Sequence, residues 1–333
     1  MKRFRIGIDS YSLKPLNLSP FELLDWAIIN GAEGVQFSEG DPTAAPGAGP
    51  DRAFLLELKS YAEQNRLYLE WGGGQHIPVG LATGKAKDIA AVNRKAATQA
   101  ATVGSKTVRS CSGGLMRWNR EALPTDKFLA LMADSLRSQK SMLQDLGVVL
   151  AIETHFEFTS FELLRLFDMC GAAPGEYLGI CLDTANLLTL LENPVTATER
   201  LLPWVVSTHI KDAGLFLQPQ GLVSFTAEAG TGVVDFEAIF ERLSRLPARV
   251  NLSLEDHGGD VLIPVNDEGF LALFPDLTVQ EFAGLVALAA KSQELRDRRK
   301  LAILDRACWP EVCERRVKRG LRAIRRLVQA EGK

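Results

Sequence analysis

The feature that most restricts the fold of this chain is a series of four apolar segments that each end in a charged or imidazole side chain. Val148-Val-Leu-Ala-Ile-Glu153 is the first, and its β-branched, apolar run is typical of a strand buried on both faces. The next three segments end in Asp183, His209 and Glu255. A charge at the end of a buried strand is costly unless it meets a partner or a metal ion. The series therefore predicts that the four strand ends share one site.

Eight strand segments are expected in the whole chain, and stretches with helical periodicity lie between them. The predicted strands cover residues 4–9, 34–37, 67–71, 105–110, 148–153, 178–183, 204–209 and 250–255. Parallel strands joined by helices have right-handed crossovers, and eight such units close into a (β/α)8 TIM barrel. We therefore predict an α/β fold of this type. A doubly wound open sheet is the alternative, but no Gly-x-Gly-x-x-Gly follows the first strand to support it.

The segments that connect the strands contain residues that predict helix starts, loops and helices. Ser19 is a predicted N-cap, Pro20 occupies the first helical turn, and Glu22 lies three residues after the cap. Gly72-Gly-Gly-Gln-His76 is predicted to be a flexible loop whose backbone can approach a ligand. Residues 266–275 are also predicted to be a loop. Further helices are predicted at about residues 52–65, 86–103, 125–146, 161–169, 194–202 and 236–246.

The pattern changes near residue 262, and two or three helices are predicted from residue 279 onward. We divide the chain into a TIM-barrel catalytic domain, residues 1–262, and a C-terminal helical extension, residues 263–333. From Lys291 onward the extension has 14 Lys and Arg residues against six Asp and Glu residues. Such a basic segment packs against the acidic barrel or against a partner subunit, or it presents a solvated face. We expect a homo-oligomer, with these helices as a candidate contact.

Composition narrows the class of protein. Of the 333 residues, 46% are hydrophobic and 24% are charged, as in ordinary globular proteins. No apolar run approaches the ~20 residues that span a bilayer, and the N-terminus lacks the pattern of a signal peptide, so a cytoplasmic protein without a membrane partner is expected. The net charge of −3 argues against nucleic acid as a partner. Five cysteines without a Cys-x-x-Cys pair argue against disulfides and structural zinc.

All the histidines of the chain lie at or just after predicted strand ends. They are His76, His155, His209 and His257. In a barrel of this type the carboxyl ends of the strands form the rim that carries the active site. A single histidine is more often structural than functional, but a full complement on one rim, beside converging carboxylates, favours a functional site.

Each carboxylate of the set also has a structural explanation. Glu153 could pair with Arg109 on the neighbouring strand, and Asp183 could cap the helix that follows it. Glu255 could lie in a solvated loop. The ordered set is more specific than any one member, because three carboxylates and one imidazole suit a divalent cation. We expect one such ion, Mn²⁺, Mg²⁺ or Co²⁺ before Zn²⁺, with positions open for two substrate oxygens.

The segments around these residues form five motifs, which are Glu153-Thr-His155, Cys181-Leu-Asp-Thr-Ala-Asn186, Asn193-Pro-Val195, His209-Ile-Lys-Asp212 and Ala229-Gly-Thr-Gly-Val-Val-Asp-Phe236. They resemble the xylose-isomerase-like sugar isomerase and epimerase superfamily, which includes tagatose and psicose 3-epimerases, inosose dehydratases and hydroxypyruvate isomerases. The resemblance covers about residues 6–260, and it implies that the residues at 153, 183, 209 and 255 are the metal ligands.

Two positions depart from the pattern of the ketose 3-epimerases. Asn186 stands three residues after the metal aspartate, where those enzymes carry His. Leu215 stands six residues after the metal histidine, where they carry Arg. Both family residues grip substrate hydroxyls, so the substrate is expected to differ from a free ketohexose.

The resemblance implies an isomerase or epimerase that acts on a keto-sugar or a related polyol through proton abstraction and an enediolate. Glu153 or Glu255 would remove the proton and the other would return it. Lys211 and His155 are candidates for polarising the substrate oxygen or relaying a proton. The residues expected to bind substrate are His76, Arg109, Asn186, Trp71, Glu39 and His257.

Packing or a salt bridge is an equal alternative for Arg109, Glu39, Trp71 and His76. Two other functions also stay open. With a leaving group β to the carbonyl, the same enolate makes a dehydratase or a lyase of an inosose or a 3-keto glycoside. A non-catalytic barrel subunit of a larger complex is the third possibility, and the retained ligand set argues against it.

Overall fold

Eight parallel strands close into a barrel in the computed structural model of the chain, which describes residues 4–38, 50–81 and 83–330. The strands in the described residues are β1 (Arg5–Asp9), β2 (Gly34–Phe37), β3 (Tyr68–Gly74), β4 (Thr107–Ser110), β5 (Val149–Glu153), β6 (Leu178–Asp183), β7 (Val205–Ile210), β8 (Asp212–Gln218), β9 (Gly221–Ala227), β10 (Asn251–Leu254) and β11 (Asp260–Ile263). The barrel consists of β1 to β7 in sequence order, and β10 closes it between β7 and β1. The predicted (β/α)8 barrel is therefore confirmed.

The strands are apolar because both of their faces are covered. In β5, Leu150 and Ile152 are fully buried, and so are Ile180 and Leu182 of β6. The register aligns Asp183 with His209, and it aligns His209 with Ser253 of β10, two residues before Glu255. Since parallel strands in register end at one level, the polar strand ends of β5, β6, β7 and β10 share one rim.

Helices surround the barrel, most of them at the predicted places. They are α1 (Pro20–Ile29), α2 (Arg52–Gln64), α3 (Ile89–Val103), α4 (Thr125–Arg137), α5 (Lys140–Leu146), α6 (Ser160–Met169), α7 (Pro194–Leu201), α8 (Phe236–Leu243), α9 (Glu268–Leu271), α10 (Val279–Asp297) and α11 (Trp309–Ala330). The predicted capping box at the start of α1 forms, because the Ser19 hydroxyl accepts from the Glu22 N–H and the Ser19 N–H donates to the Glu22 carboxylate. No helix in the described residues combines the length and apolar character that a membrane span requires.

Three local predictions are wrong. The single helix predicted for residues 125–146 is two helices, α4 and α5, with Ser138 and Gln139 between them, and the buried Gln139 side chain accepts from Asn93 at 2.8 Å. Gly72 to Gly74 belong to β3 rather than to a loop, and a Cβ on Gly72 would lie only 1.9 Å from the Ser38 carbonyl oxygen. The predicted loop at residues 266–275 contains the short helix α9.

A three-stranded antiparallel sheet of β8, β9 and β11 was not predicted, and it begins directly after β7. Asp212, at the start of β8, accepts the N–H groups of Gly230 and Gly232 at 2.9 and 2.8 Å. The second glycine has no room for a side chain, since a Cβ would lie 2.3 Å from the Ala213 carbonyl oxygen. The Gly-Thr-Gly segment therefore serves to fold the chain tightly around the Asp212 carboxylate.

The C-terminal helices pack on the rest of the protein. Helix α10 contacts β8, and α11 contacts β1, β10 and α8. One face of α11 is buried, and the opposite face exposes Arg315, Arg319, Arg322 and Arg326. The buried face is formed by Trp309, Cys313, Val317, Leu321 and Ile324. The basic extension thus packs against the barrel and also presents a solvated basic face, whereas oligomer formation and the domain boundary after residue 262 stay predictions.

Candidate active site

Four side chains from neighbouring strand ends meet inside the carboxyl rim of the barrel. Glu153 ends β5, Asp183 ends β6, His209 lies in β7 and Glu255 follows β10. Each offers one ligand atom, these atoms all lie within 4.8 Å of one another, and all four residues are buried. The structure therefore brings together the complete set that the sequence predicted as metal ligands.

Asp183 has one oxygen engaged and one without a partner. Its Oδ1 accepts from the N–H groups of Ala185 and Asn186 at 2.8 and 2.9 Å, which is the capping role left open by the sequence. Its Oδ2 is buried and has no hydrogen-bond partner among the described residues, with Lys211 Nζ 3.6 Å away. Burial raises the pKa of Asp183 to about 7 against the opposing effect of Lys211. A buried carboxylate oxygen with only a long ion pair and no hydrogen bond is rare, and it is available to ligate a metal ion.

Glu153 is held as a carboxylate by Arg109. The Arg109 Nε donates to Glu153 Oε2 at 2.7 Å, and a second nitrogen of the guanidinium contacts the same oxygen. Burial alone raises the pKa of Glu153, but Arg109 and His209 outweigh it and lower the pKa well below its usual range. The predicted salt bridge therefore exists, and it leaves Oε1 facing the cluster.

Glu255 is held in the same way by Lys211, the residue that follows β7. Lys211 Nζ donates to Glu255 Oε2 at 2.9 Å and to Asn186 Oδ1 at 3.4 Å. Burial raises the pKa of Glu255, but Lys211 and His209 lower it well below its usual range. Glu153 and Glu255, the two glutamates of the cluster, are thus both ionised at neutral pH. Arg109 lies beside the first and Lys211 beside the second.

One ring nitrogen of His209 faces the carboxylates, and the other faces Gln36, the first of a series of hydrogen-bonded side chains. Its Nδ1 lies 3.2 Å from Glu153 Oε1 and 3.7 Å from Glu255 Oε2. Its Nε2 contacts Gln36 Oε1 and lies 3.5 Å from Asp9 Oδ2. In the neutral imidazole, an N–H donated from Nε2 to Gln36 leaves the lone pair of Nδ1 directed at the carboxylates. Burial lowers the pKa of His209, but neighbouring thiol and carboxyl groups outweigh it and raise the pKa well above its usual range.

The series of hydrogen-bonded side chains continues from Gln36 to Glu70 and Asn251, and the sequence did not predict it. Gln36 Nε2 donates to Glu70 Oε2 at 2.6 Å, and Asn251 Nδ2 donates to Glu70 Oε1 at 2.8 Å. Partners of this kind orient a ligating histidine and select its tautomer. The available signal was a glutamine inside an otherwise apolar strand, Gly34–Phe37.

The donor set fits one divalent cation. Asp183 Oδ2 lacks a donor, and His209 Nδ1, once it gives up its proton in favour of a metal ion, faces carboxylate oxygens that cannot donate to it. A metal ion between Asp183 Oδ2 and His209 Nδ1 would accept a lone pair from each of these two atoms. Oxygen-rich sites with one imidazole suit Mn²⁺, Mg²⁺ or Co²⁺, which agrees with the ions expected from the sequence.

A cavity of about 340 Å³ opens beside the cluster. This volume lies within the range of small-molecule sites. Six residues that the sequence proposed for the site line it, namely Arg109, Glu153, His155, Lys211, Glu255 and His257. The lining also includes four residues that the sequence did not suggest, namely Tyr11, Ser38, Phe156 and Arg306.

A second cavity of about 170 Å³ adjoins the first, and the two share Phe156, Lys211, His257 and Arg306. Asn186 lines the second cavity, and its Nδ2 is buried without a partner among the described residues. This amide is therefore a free donor at the cavity wall. Leu215, where the epimerase pattern has Arg, is fully buried in β8 and has no polar side-chain atom to offer.

His155 belongs to a small polar group at the edge of the first cavity. Its Nδ1 lies 3.0 Å from Glu157 Oε1, and ligand atoms of Cys111, His155 and Glu157 lie within 4.8 Å of one another. Burial lowers the pKa of His155, but Glu157 and Cys111 outweigh it and raise the pKa well above its usual range. A charged imidazole at the cavity wall can donate to a substrate oxygen.

Three other proposed residues are not among the described residues that line the cavities. Trp71 is fully buried, packs against Phe37 and donates its Nε1–H to Gln99 at 3.3 Å. His76 is fully buried with Nδ1 2.9 Å from Ser110 Oγ, and its Nε2 has no described partner. Trp71 and His76 thus lie in the packed interior, which is the alternative that the sequence left open. Glu39 lies outside the described residues.

A family model matches most of the chain, and two curated proteins match smaller parts of it. The sequence matches the family model of the xylose isomerase-like TIM barrel over residues 24–269. Uncharacterized protein YihM of Escherichia coli (strain K12) is 30% identical over 115 residues, which are 34% of this chain and 34% of that protein. The 3-oxo-isoapionate decarboxylase of Pectobacterium atrosepticum is 31% identical over 133 residues, which are 39% of this chain and 46% of that protein. The chain thus spans less than half the length of these curated relatives.

Solved structures with the same fold cover most of the chain. L-ribulose 3-epimerase has a TM-score of 0.58 at 18% identity, over 89% of this chain and 97% of that one. D-allulose 3-epimerase from Methylomonas sp. has a TM-score of 0.57 at 16% identity, over 90% and 98%. A probable 3-DHS dehydratase, AsbF, from Bacillus anthracis has a TM-score of 0.55 at 14% identity, over 75% and 92%. At these identities the likeness establishes a shared fold.

Proposed function

Because the chain belongs to the xylose isomerase-like TIM-barrel family, we propose that it is a divalent-metal-dependent isomerase or epimerase of a keto-sugar or related polyol. The single observation that carries this proposal is the convergence of Glu153, Asp183 and Glu255 on His209, with ligand atoms within 4.8 Å, beside a cavity. A divalent ion held by these four residues would supply a Lewis acid that acidifies the C–H bond next to a substrate carbonyl.

Two carboxylates are available to move the proton. Glu153 and Glu255 line the cavity from strand ends separated by β6 and β7, and both are ionised. One carboxylate takes the proton from carbon, and the electron pair of that C–H bond moves to the carbonyl oxygen as an enediolate. Return of the proton to the adjacent carbon gives an isomer, and return from the opposite face gives an epimer.

Cationic and amide groups around the carboxylates are suited to hold the substrate oxygens. Lys211 stays charged, because the carboxylates of Glu255 and Asp183 raise its pKa against the effect of burial, and it lines both cavities. Its ammonium can donate to the oxygen on which negative charge develops. Asn186 Nδ2, which has no described partner, can take a hydroxyl or carbonyl oxygen in the adjoining cavity.

Bond cleavage through the same enolate is the second candidate. It is favoured by the curated relative named as 3-oxo-isoapionate decarboxylase and by Leu215, which cannot grip a hydroxyl as the epimerase arginine does. In such a reaction the C–C bond to the carboxylate breaks, its electron pair forms the enolate, CO₂ leaves, and a proton is returned to carbon. Elimination of a β leaving group from a 3-keto glycoside or inosose uses the same first step as isomerisation.

A solvent-exchange assay tests the proposal. Protein loaded with Mn²⁺ is incubated in D₂O with free ketoses, keto-acids, inosose and 3-keto glycosides. We expect deuterium on the carbon next to the carbonyl of at least one compound, and Glu153→Gln and Glu255→Gln should each lower that exchange by more than ~100-fold. Release of CO₂ or an α,β-unsaturated product would assign the reaction to the second candidate.

The matched control is Glu192→Gln. Glu192 is also a buried glutamate, but it is satisfied by Ser160 and Arg200 and is not among the described residues that line the cavities. It should exchange deuterium like the unmodified protein. Absence of exchange and of CO₂ release with every compound, in protein shown to contain the metal, would overturn the proposal and favour a non-catalytic barrel subunit.

A further inference from the structure

The cations around the first cavity are not equivalent. Arg109 is paired with Glu153, and Lys211 is paired with Glu255. Arg306, which lines both cavities, has no acidic group within 4 Å among the residues the structure describes. Its sequence neighbour Asp305 uses its carboxylate to accept the Ala307 N–H at 2.8 Å. Arg306 therefore contributes a positive charge that the described protein does not balance locally.

Arg306 is held in place by groups that do not cancel its charge. Its Nη1 donates to the Gly258 carbonyl oxygen at 2.9 Å and lies 3.0 Å from His257 Nδ1, and its Nη2 contacts the Tyr11 hydroxyl. The guanidinium carbon lies 5.2 Å from the ring centre of Trp309 and 5.7 Å from that of Tyr11. A guanidinium fixed in this way loses little side-chain entropy when it binds a ligand.

Backbone contacts hold the segment that carries Arg306 against the loop after β10, beside the cavity. The Gly259 N–H donates to the Leu304 carbonyl oxygen at 3.3 Å, which docks the segment before Arg306 on the loop after β10. A Cβ on Gly258 would lie 3.0 Å from the Arg306 Cα, so any side chain here would push the two segments apart by a few tenths of an ångström. In addition, Arg316 of α11 forms a buried ion pair with Asp256, with contacts from 2.8 to 3.1 Å. The C-terminal segment is thus fastened to the rim residues next to Glu255.

One edge of the guanidinium remains available. Nη1 is occupied by protein groups, whereas Nε has no hydrogen-bond partner among the described residues, and Nη2 contacts only the Tyr11 hydroxyl. Nε and Nη2 form the planar pair of donors that matches the two oxygens of a carboxylate. Because Arg306 is exposed, lines the cavity and forms no salt bridge within the described protein, a ligand carboxylate would gain a charge-assisted contact without displacing an internal salt bridge.

We propose that Arg306 forms a carboxylate subsite, and that the substrate is an acidic keto-sugar whose carboxylate lies away from the reacting carbonyl. This inference rests on the proposed function, since it names the substrate class of the same cavity. The subsite consists of the Arg306 guanidinium, with Tyr11 and His257 as its walls. A phosphate ester is the less suitable anion, because phosphate is usually held by several cations or backbone N–H groups, and here one guanidinium edge is free.

Matched substrates that differ only at C6 test the inference. Deuterium exchange is measured with D-fructose, D-fructuronate and D-fructose 6-phosphate, and with D-tagatose and D-tagaturonate, on the Mn²⁺-loaded protein. We expect kcat/KM for the uronates to exceed that of the neutral ketoses by about ten- to one-hundredfold, the range of one charge-assisted contact. Arg306→Gln should remove this preference, mainly through KM, and Arg306→Lys should restore part of it.

The control variant is Arg322→Gln, which removes one positive charge from the exposed face of α11. In the part of the chain that the structure describes, the Arg322 side chain hydrogen-bonds only to the Lys318 carbonyl oxygen. The preference of this variant for the uronates should equal that of the unmodified protein. Equal kcat/KM for neutral and acidic ketoses, or a preference that survives Arg306→Gln, would overturn the inference while the proposed function stands. A preference for the phosphate ester would also overturn it.

A binding measurement separates the two proposals. If no ketose exchanges deuterium, the shift in melting temperature of the metal-loaded protein is compared for D-gluconate and sorbitol, with and without Arg306→Gln. A larger shift with gluconate that depends on Arg306 would retain the carboxylate subsite although the proposed reaction had failed. Equal shifts would reject the subsite as well.

Discussion

Two fully buried histidines show how the two halves of the barrel rim differ. His209 lies in the ligand half, formed by the ends of β5, β6, β7 and β10, and against the effect of burial the Cys181 thiol and nearby carboxylates raise its pKa well above the usual range. His76 lies in the supporting half, formed by the ends of β2, β3 and β4, and burial lowers its pKa to about 4. Equal burial therefore accompanies pKa shifts in opposite directions, and the neighbouring charges decide the direction.

The halves also differ in how their polar atoms are satisfied. In the supporting half, Gln36 donates to Glu70, and Glu70 also accepts from Asn251. In the ligand half, Asp183 Oδ2 has no hydrogen-bond partner among the described residues. In the described protein each half thus leaves a buried atom without a hydrogen bond, but that atom is a neutral ring nitrogen, His76 Nε2, in the supporting half and a carboxylate oxygen in the ligand half, where a cation would balance the negative charge.

The largest loss of Mn²⁺ affinity is expected when Asp183 Oδ2, the oxygen without a hydrogen-bond partner in the described protein, is replaced. Asp183→Asn keeps an oxygen to accept the Ala185 and Asn186 N–H groups but replaces the other oxygen with a donor. Affinity for Mn²⁺ should fall by more than the ~10- to 100-fold that loss of a supporting residue typically costs. Isothermal titration calorimetry measures this affinity.

The control for this variant is Asp235→Asn. Asp235 caps α8 in the same way, by accepting the Ala238 N–H at 3.0 Å, and it is exposed. Its substitution should leave Mn²⁺ affinity unchanged. Equal Mn²⁺ affinity of Asp183→Asn and the unmodified protein would show that the ligand half does not bind the ion.

A smaller loss of Mn²⁺ affinity is expected when the hydrogen bond between His209 and Gln36, which joins the two halves, is removed. Gln36→Leu removes the acceptor of the His209 Nε2–H and frees the imidazole to change tautomer and orientation. Mn²⁺ affinity should fall by about 10- to 100-fold. The same substitution at Gln99, a buried glutamine that contacts Trp71, should leave Mn²⁺ affinity unchanged. Identical Mn²⁺ affinities of the two variants would mean that Gln36 does not support the ligand half.

The smallest effect is a pH dependence of stability from the supporting half. The unfolded chain binds a proton on His76 near pH 6.5, whereas the folded protein binds it only near pH 4, so His76 lowers stability as the pH falls between these values. The loss due to this residue should be about 2 kcal/mol at pH 5 relative to neutral pH.

Urea unfolding of the unmodified protein and of His76→Gln at pH 7, 6 and 5 isolates this contribution. The free energy of unfolding of the variant should decrease less on acidification, because the difference between the two proteins cancels the titration of all other groups. Parallel pH curves would show that His76 is not held neutral by burial.

The fold and the ligand set were accessible from the sequence because they follow local patterns. Eight apolar strands alternate with helical segments, and Glu153, Asp183 and His209 stand at strand ends where a barrel must bring them together. Supporting and lining residues did not share this pattern. Gln36 and Arg306 are ordinary polar residues in sequence, and only the distances to His209 and to the cavity single them out.

The sequence by itself determined that this protein is a (β/α)8 barrel and which four side chains face one another at its rim, because strand periodicity and strand-end position are local properties. The tertiary structure alone decided the charge state of the site, the place of Trp71 and His76 in the interior, and the arrival of Arg306 at the cavity from the C-terminal segment. The physical reason is that pKa values and pocket walls depend on groups far apart in the chain, such as Gln36 and His209, whose contact arises only when the barrel closes.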